Sequence, residues 1–264
     1  MTIPISLKNF WLMLLARRPI VAHHPSVFRG DDGRRRTVDL AKLALSYFAY
    51  NIVPSDYMGT EVPRSFKIPN AYDDGVFKRL TEERSRDLIF VGRLGLVKGV
   101  DTLLMALQMI KAEFRSVALT IVGDGPDRER LVALSNSLGL QRNVCFVGAR
   151  DSNAIVKLLN SHRIIVVPST YKEPFGIVAL EGLACGCLPI VSKHGGLIDA
   201  IGLHGLTFDN GDVNGLCTQL RCALSSKNIC SELLQNVDQH LSQHTKAVIA
   251  KKYIQAMEWL GKPR

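Results

Sequence analysis

The sequence predicts an α/β protein built on a doubly wound parallel sheet. Two observations carry that prediction. From about residue 88 onward, Val/Ile-rich runs of four to seven residues alternate with amphipathic stretches of ten or more. Several of these runs stop at a glycine or a polar loop, where a strand would hand over to a helix. Such alternation fits right-handed βαβ crossovers, which place successive strands parallel in one sheet. Ligands of these sheets sit beyond the carboxyl ends of the strands.

Each element can be justified in turn. "DLIFVGRL" (87–94) reads as a short buried strand. "KGVDTLLMALQMIKAEF" (98–114) reads as a helix with Leu103, Ala106, Leu107 and Ile110 on one stripe. "VALTIVGDG" (117–125) is a second strand and "DRERLVALSNSLGL" (127–140) a second helix. "NVCFVGA" (143–149), "DSNAIVKLLNSH" (151–162) and "RIIVVPS" (163–169) continue as strand, helix and strand. "GIVALEGLACG" (176–186) is a short helix, "LPIVSKHGG" (188–196) opens with a fifth strand, and "VNGLCTQLRCALSS" (213–226) is another helix.

The first 75 residues differ. "RRPIVAHHP" (17–25) holds one short strand, and "VDLAKLALSYFAYNIVPSDYM" (38–58) reads as a helix running into another strand. "SFKIPNAYDDGVF" (65–77) is loop-like, with Pro69 and Asn70 at a turn. The tail, "HTKAVIAKKYIQAMEWLG" (244–261), carries a helical stripe through Val248, Tyr253, Met257 and Leu260. The expected division is an amino-terminal remnant over 1–75, a main domain over 76–240 and a tail helix over 241–264.

Composition narrows the function classes. Hydrophobic content of 47% and charged content of 22% suit a folded globular chain. No apolar run approaches the roughly 20 residues of a membrane span; "FWLMLL" (10–15) is too short. It also lacks the small-residue cleavage site of a signal peptide. The six cysteines include no C-x-x-C pair, so neither a zinc site nor any other metal site is expected, and they suit a reducing, cytoplasmic setting. The formal net charge is +9, with Arg17, Arg18, Arg29 and Arg34–Arg36 concentrated early. That excess suits a solvated basic face, an anionic membrane surface met peripherally, or a polyanionic partner. Nucleic acid is not expected, because no aromatic residues are interleaved with these charges.

The chemistry lies in the loops. "IVGDGPDRERL" lacks the third glycine of a dinucleotide fingerprint, so it is expected to be a tight turn with Pro126 at the first helical position. "STYKEPFGIVALEGLACG" (169–186) is more informative. Pro174 biases Glu173 away from helix, leaving it in the loop after a strand. A helix starts near Gly176, and its unpaired amides and dipole suit a phosphate. Glu181 lies about five residues further, roughly 7–8 Å along the axis. One carboxylate ahead of a phosphate position and one beside it match a nucleotide sugar: sugar hydroxyls, then diphosphate, then ribose hydroxyls. The alternative is an exposed Glu173 and a Glu181 that merely suits the helix dipole. "GRLGLVKG" (92–99) adds two cations, Arg93 and Lys98, among Gly92, Gly95 and Gly99. Two fixed cations can stabilise a departing diphosphate without a metal.

Taken together, "FVGRLGLVKG", "LTIVGDGPDRERL", "NVCFVGA" and "VVPSTYKEPFGIVALEGLACGCLPIV" resemble the carboxyl-terminal domain of family 4 retaining glycosyltransferases of the GT-B fold. The resemblance covers most of residues 85–225. It implies a Rossmann-like doubly wound sheet plus a partial second Rossmann-like domain. It implies transfer of a hexose from a UDP- or GDP-sugar to a hydroxyl of a glycan, lipid or other acceptor, with retention of configuration, no cofactor and no metal. Cell-envelope or polysaccharide biosynthesis is the implied setting. Glu173 would hold donor-sugar hydroxyls, Glu181 the ribose, and Arg93 and Lys98 the diphosphate. Ser169, Gly92 and the amides around Phe175, Gly176 and Ile177 would line the donor site.

More weakly, "RRPIVAHHP" resembles an acceptor-domain strand that ends in an active-site histidine, here His24 with His23 as the alternative register. Family members carry about a hundred more residues before this point, so a donor-binding module, or half of a split enzyme needing a partner for the acceptor domain, is the rival expectation. The sequence also departs from the family at Gly182, where alanine is usual and where glycine costs about 1 kcal/mol in a helix interior, and at Asp199, where glutamate is common.

Overall fold

The computed structural model describes residues 21–24, 43, 46–80 and 83–261. The early arginine run, the "FWLMLL" stretch and most of the helix expected after residue 38 lie outside the described residues.

The larger sheet has six parallel strands: β4 (Arg86–Val91), β5 (Leu119–Val122), β6 (Val144–Gly148), β7 (His162–Val167), β8 (Leu188–Ser192) and β9 (Leu206–Phe208). Their order is β6-β5-β4-β7-β8-β9. The chain winds outward from β4 in one direction, returns, and winds outward from β7 in the other. The switch point therefore lies between β4 and β7, which pair in parallel with Leu88 beside Ile164 and Ile89 beside Ile165. Successive side chains of β7 alternate between two cores, because a strand points neighbouring residues to opposite faces. Ile164 and Val166 pack with α2 (Val100–Ile110) and α7 (Val213–Ser225). Ile165 and Val167 pack with α4 (Ser152–Ser161), α5 (Ile177–Ala184) and α6 (Leu197–Ile201). Burial on both faces explains why these strands read as unbroken apolar runs. The stripe read in α2 holds: Leu103, Ala106, Leu107 and Ile110 are all fully buried.

The smaller sheet is also parallel, in the order β1 (Val21–His23), β2 (Tyr50–Val53) and β3 (Ser65–Lys67). Helix α1 (Asp56–Glu61) connects β2 to β3 and is capped by Ser55, whose Oγ accepts from the Met58 amide at 3.2 Å. The terminal helix α10 (Lys246–Gly261) packs on this sheet, with Ile249 and Leu260 buried against Val21, Ile52 and Ile68.

Several expectations need correction. Residues 65–67 form β3 rather than loop, because pairing with β2 outweighs the turn signal that follows them. The main sheet gains a sixth strand, β9, whose three residues, with only Phe208 fully buried, are too few to carry a periodic signal. Pro126 lies ahead of helix α3 (Arg128–Ser137), which takes Asp127 as its cap. The helix expected from Lys98 starts at Val100, preceded by a 3₁₀ turn over Leu96–Lys98. In α10 the buried residue of the first turns is Ile249, one position beyond Val248. Two short helices, α8 (Lys227–Leu233) and α9 (Val237–Ser242), follow α7 where none is predicted.

Candidate functional site

Two loops leave the carboxyl ends of the strands that flank the switch point: residues 92–99 after β4 and 168–176 after β7. They are bonded to each other. Thr170 N donates to Val97 O at 2.9 Å. Gly99 is left-handed (φ 66°) and so close to the Pro168 carbonyl that any Cβ would collide with it. That contact fixes the end of the 3₁₀ turn and delivers Lys98 to the second loop.

There Lys98 Nζ lies 2.7 Å from Glu173 Oε1. The same oxygen accepts from Ser169 Oγ at 2.7 Å. Tyr171 also borders the ammonium, its hydroxyl 3.4 Å and its ring centroid 5.2 Å from Nζ. Glu173 is only 8% exposed, so the carboxylate predicted for the loop is enclosed rather than solvated. Its backbone is held from the next loop: Gly196 N donates to Glu173 O at 2.7 Å. Asn210 braces the same cluster, donating to Tyr171 O at 3.1 Å and to His194 O at 3.2 Å.

Gly176 caps α5 with φ 99°, a backbone state that disfavours any side chain, and the first amides of α5 follow directly. Ile177 is the first helical residue and is partly exposed. The Phe175 side chain is not at the surface. It is 1% exposed, with its ring 5.7 Å from that of His244, so Phe175 anchors the helix start and can reach a ligand only through its backbone. Glu181 lies one turn in. Burial, helped by nearby Asp73, pushes its carboxyl up to about 7. Asp73 is itself paired with Lys246 of α10 at 2.7 Å.

Other predicted residues stand apart from this cluster. Arg93 shares the β4 loop with Lys98, but its side chain is exposed, and it makes no ion pair with a described residue. Gly92 holds the turn, donating to Val122 O at 3.0 Å. The histidine doublet is split by the strand's alternation. His23 turns to α10, edge-on to Tyr253 at 5.8 Å. His24 is buried, with Nε2 2.8 Å from Asn51 Oδ1. Asn51 Nδ2 donates to Ser46 O, Ala49 O and Pro63 O, so its amide orientation is fixed and His24 must carry its proton on Nε2.

Sequence reasoning missed Tyr171 and Ser55. Tyr171 lies inside the informative stretch. Ser55 is remote in sequence, yet its Oγ donates to Pro174 O at 2.6 Å, one residue past Glu173. A second tie runs beside it, from Lys67 to Asp199 at 3.1 Å, with Lys67 also on Asp56 at 2.6 Å. The small sheet thus touches the loop that presents the carboxylate. Gly182 also receives a packing explanation: a Cβ there would lie 2.6 Å from Ile165 Cγ2. The glycine lets α5 lie close on β7, which offsets its poor helix propensity.

Comparison with known proteins gives a consistent answer. The family described as Glycosyl transferases group 1 matches residues 73–240. A glycosyltransferase of Methanocaldococcus jannaschii is 37% identical over 142 residues, covering 53% of this chain and 36% of that protein. Glycogen synthase of Mycobacterium tuberculosis is 36% identical over 140 residues, covering 52% of this chain and 34% of that protein. The matched stretch therefore spans about a third of these relatives. Among solved structures, Anabaena HepE in complex with UDP and glucose superposes with a TM-score of 0.79 at 21% identity, over 93% of this chain and 73% of that one, a likeness of fold. With a family match over more than half its length and GT-B structural neighbours, this chain belongs to the Glycosyl transferases group 1 family.

Proposed function

We propose that this chain binds a nucleotide diphosphate sugar, UDP- or GDP-linked, and transfers its hexose to an acceptor hydroxyl with retention of configuration, in the manner of family 4 enzymes. The observation that supports this most is the enclosed Lys98–Glu173–Ser169 cluster at the switch point, next to the amino end of α5. The names of the relatives and the UDP and glucose held by HepE support the substrate class.

In this reading Glu173 and Ser169 meet the donor sugar's hydroxyls, and Glu181 accepts from the ribose. Lys98, Arg93 and the amides of Gly176 and Ile177 face the diphosphate, so no metal or cofactor is required. The bond from the anomeric carbon to the phosphate oxygen breaks as the acceptor oxygen bonds to that carbon on the same face. The acceptor's proton passes to the departing phosphate. Fixed cations and helix-end amides stabilise the charge that grows there. His24 is proposed as an active-site residue on the family resemblance alone; buried on Asn51 in the smaller sheet, it is given no step in the transfer. The acceptor is a glycan, lipid or other hydroxyl compound of envelope or polysaccharide synthesis. The setting is the cytoplasm or its membrane surface; among the described residues no helix is long and apolar enough to cross a membrane.

Calorimetric titration with UDP, GDP and the corresponding sugar nucleotides tests the binding step. Donor hydrolysis and transfer are then followed by proton NMR of the anomeric centre, with the chain alone and beside candidate partner chains. Absence of binding to any of these nucleotides would refute the reading. Binding without turnover under all conditions would reduce it to a donor-binding module, and an inverted product would remove retention.

A further inference from the structure

We propose a second anion site at the opposite end of the main sheet, built to take a small phosphomonoester. It rests on a cavity independent of the donor cleft. About 560 Å³ in volume, it is lined by Arg79, Leu80, Arg84, Arg163, Gly186, Cys230, Ser231 and Leu234. Arg84 precedes β4, Arg163 is the second residue of β7, and Gly186 precedes β8. The cavity therefore opens at the amino ends of the strands, away from the loops that carry Lys98 and Glu173.

Three features point to an anion. First, three guanidinium groups border the cavity, and no carboxylate is among these lining residues. Second, Arg84 is immobilised: its Nη1 donates to Leu159 O at 3.2 Å and to His162 O at 2.6 Å, and its Nη2 donates to Cys185 O. One cation is thus fixed in place before any ligand arrives. Third, Arg79 lies beside it. A Cβ on Gly186 would lie 2.6 Å from Arg84 Nη2 and 2.7 Å from Arg79 Nε, so two cationic groups approach within about 5 Å of each other. Gly186 is left-handed (φ 80°), and its bare backbone makes room for both. Like charges this close repel, and an anion between them reverses the sign of the interaction.

Arg163 completes the set from the β7 side, hydrogen-bonded to Cys230 of the cavity wall and 3.8 Å from Asp87. Guanidinium groups match phosphate oxygens in paired hydrogen bonds. Leu80 and Leu234 supply apolar wall for a small carbon skeleton, and the volume lies in the range of small-molecule sites.

The test uses glycerol 3-phosphate and inorganic phosphate on the full chain, by calorimetry, with and without saturating UDP. Saturable binding that survives UDP is expected. Arg79→Glu and Arg163→Glu should each weaken it by roughly tenfold or more, while Lys98→Ala leaves it unchanged. Arg84 is left intact because its carbonyl bonds support the fold, and circular dichroism checks that each variant is folded. Sedimentation with phosphatidylcholine vesicles, with and without phosphatidic acid, separates a soluble ligand from a lipid headgroup. The proposal is overturned by no saturable binding, by binding lost on adding UDP or in Lys98→Ala, by binding that persists in folded arginine variants, or by capture on phosphatidic acid vesicles alone.

Discussion

Glu181 offers the most quantitative test of the donor site. Burial, then the nearby charge of Asp73, push its carboxyl up to about 7. If the ionised form accepts hydrogen bonds from ribose hydroxyls, binding must pull that value back towards the ordinary carboxylate range near 4.3. Affinity then rises with pH up to the free value and levels off above it. From about pH 8 to about pH 6 the ionised fraction of the free protein falls from nearly all to about a tenth, so the dissociation constant should rise roughly tenfold, or about 1.4 kcal/mol. UDP-glucose is the suitable ligand, because the terminal phosphate of UDP would add its own ionisation near about 6. Calorimetry across this range should show the slope in the wild type. In Glu181→Gln the slope should vanish, and binding near pH 8 should weaken. A flat wild-type profile, or an equal slope in Glu181→Gln, would show that the ribose does not meet this carboxylate.

Other perturbations follow from the same geometry. Glu173→Ala should lower kcat/KM by about 10- to 150-fold, the value of one charge-assisted hydrogen bond of roughly 1.5–3 kcal/mol; unchanged kinetics would remove Glu173 from the site. Lys98→Ala should depress kcat more than donor affinity, since phosphate charge grows in the transition state; equal losses would speak against that role. Gly182→Ala should destabilise the fold by about 1–2 kcal/mol, overpacking against Ile165 exceeding the gain in helix propensity. Thermal unfolding reads this, and a cycle with Ile165→Ala should show coupling between the two positions. Ser55→Ala removes both a helix cap and the bond to Pro174 O, at about 1–2 kcal/mol of stability; it should also lower kcat/KM, and wild-type kinetics would uncouple the small sheet from the Glu173 loop.

The main domain was legible because its strands are buried on both faces. Ile164 to Val167 all meet apolar partners, so the run could be read without knowing which residue faces which core. The helix stripe through Leu103 and Ile110 was legible for the matching reason, a single buried side. Elements held by other parts of the chain were not. The three residues of β9 gain their identity from pairing with β8, and β3 gains its identity from β2. In the site, the glycines and the X-Pro step revealed that Lys98 and Glu173 sit in loops at strand ends, and the fold supplied their contact. The histidine doublet could not be resolved from sequence, since moving one residue along a strand reverses its side. Nor could the closeness of α5 to β7, which depends on Ile165 across the interface from Gly182.

The ion pair between Lys98 and Glu173 has a consequence for ligand choice. Under the proposed chemistry an incoming diphosphate would compete with Glu173 for the ammonium, and a bare nucleotide that won it would leave an enclosed carboxylate stripped of its counter-charge. A nucleotide still bearing its sugar brings hydroxyl hydrogens to that same oxygen as compensation. The resting cleft is thus electrically self-satisfied, and under the proposed chemistry it should discriminate in favour of the loaded donor over the spent carrier, easing product departure after each turnover.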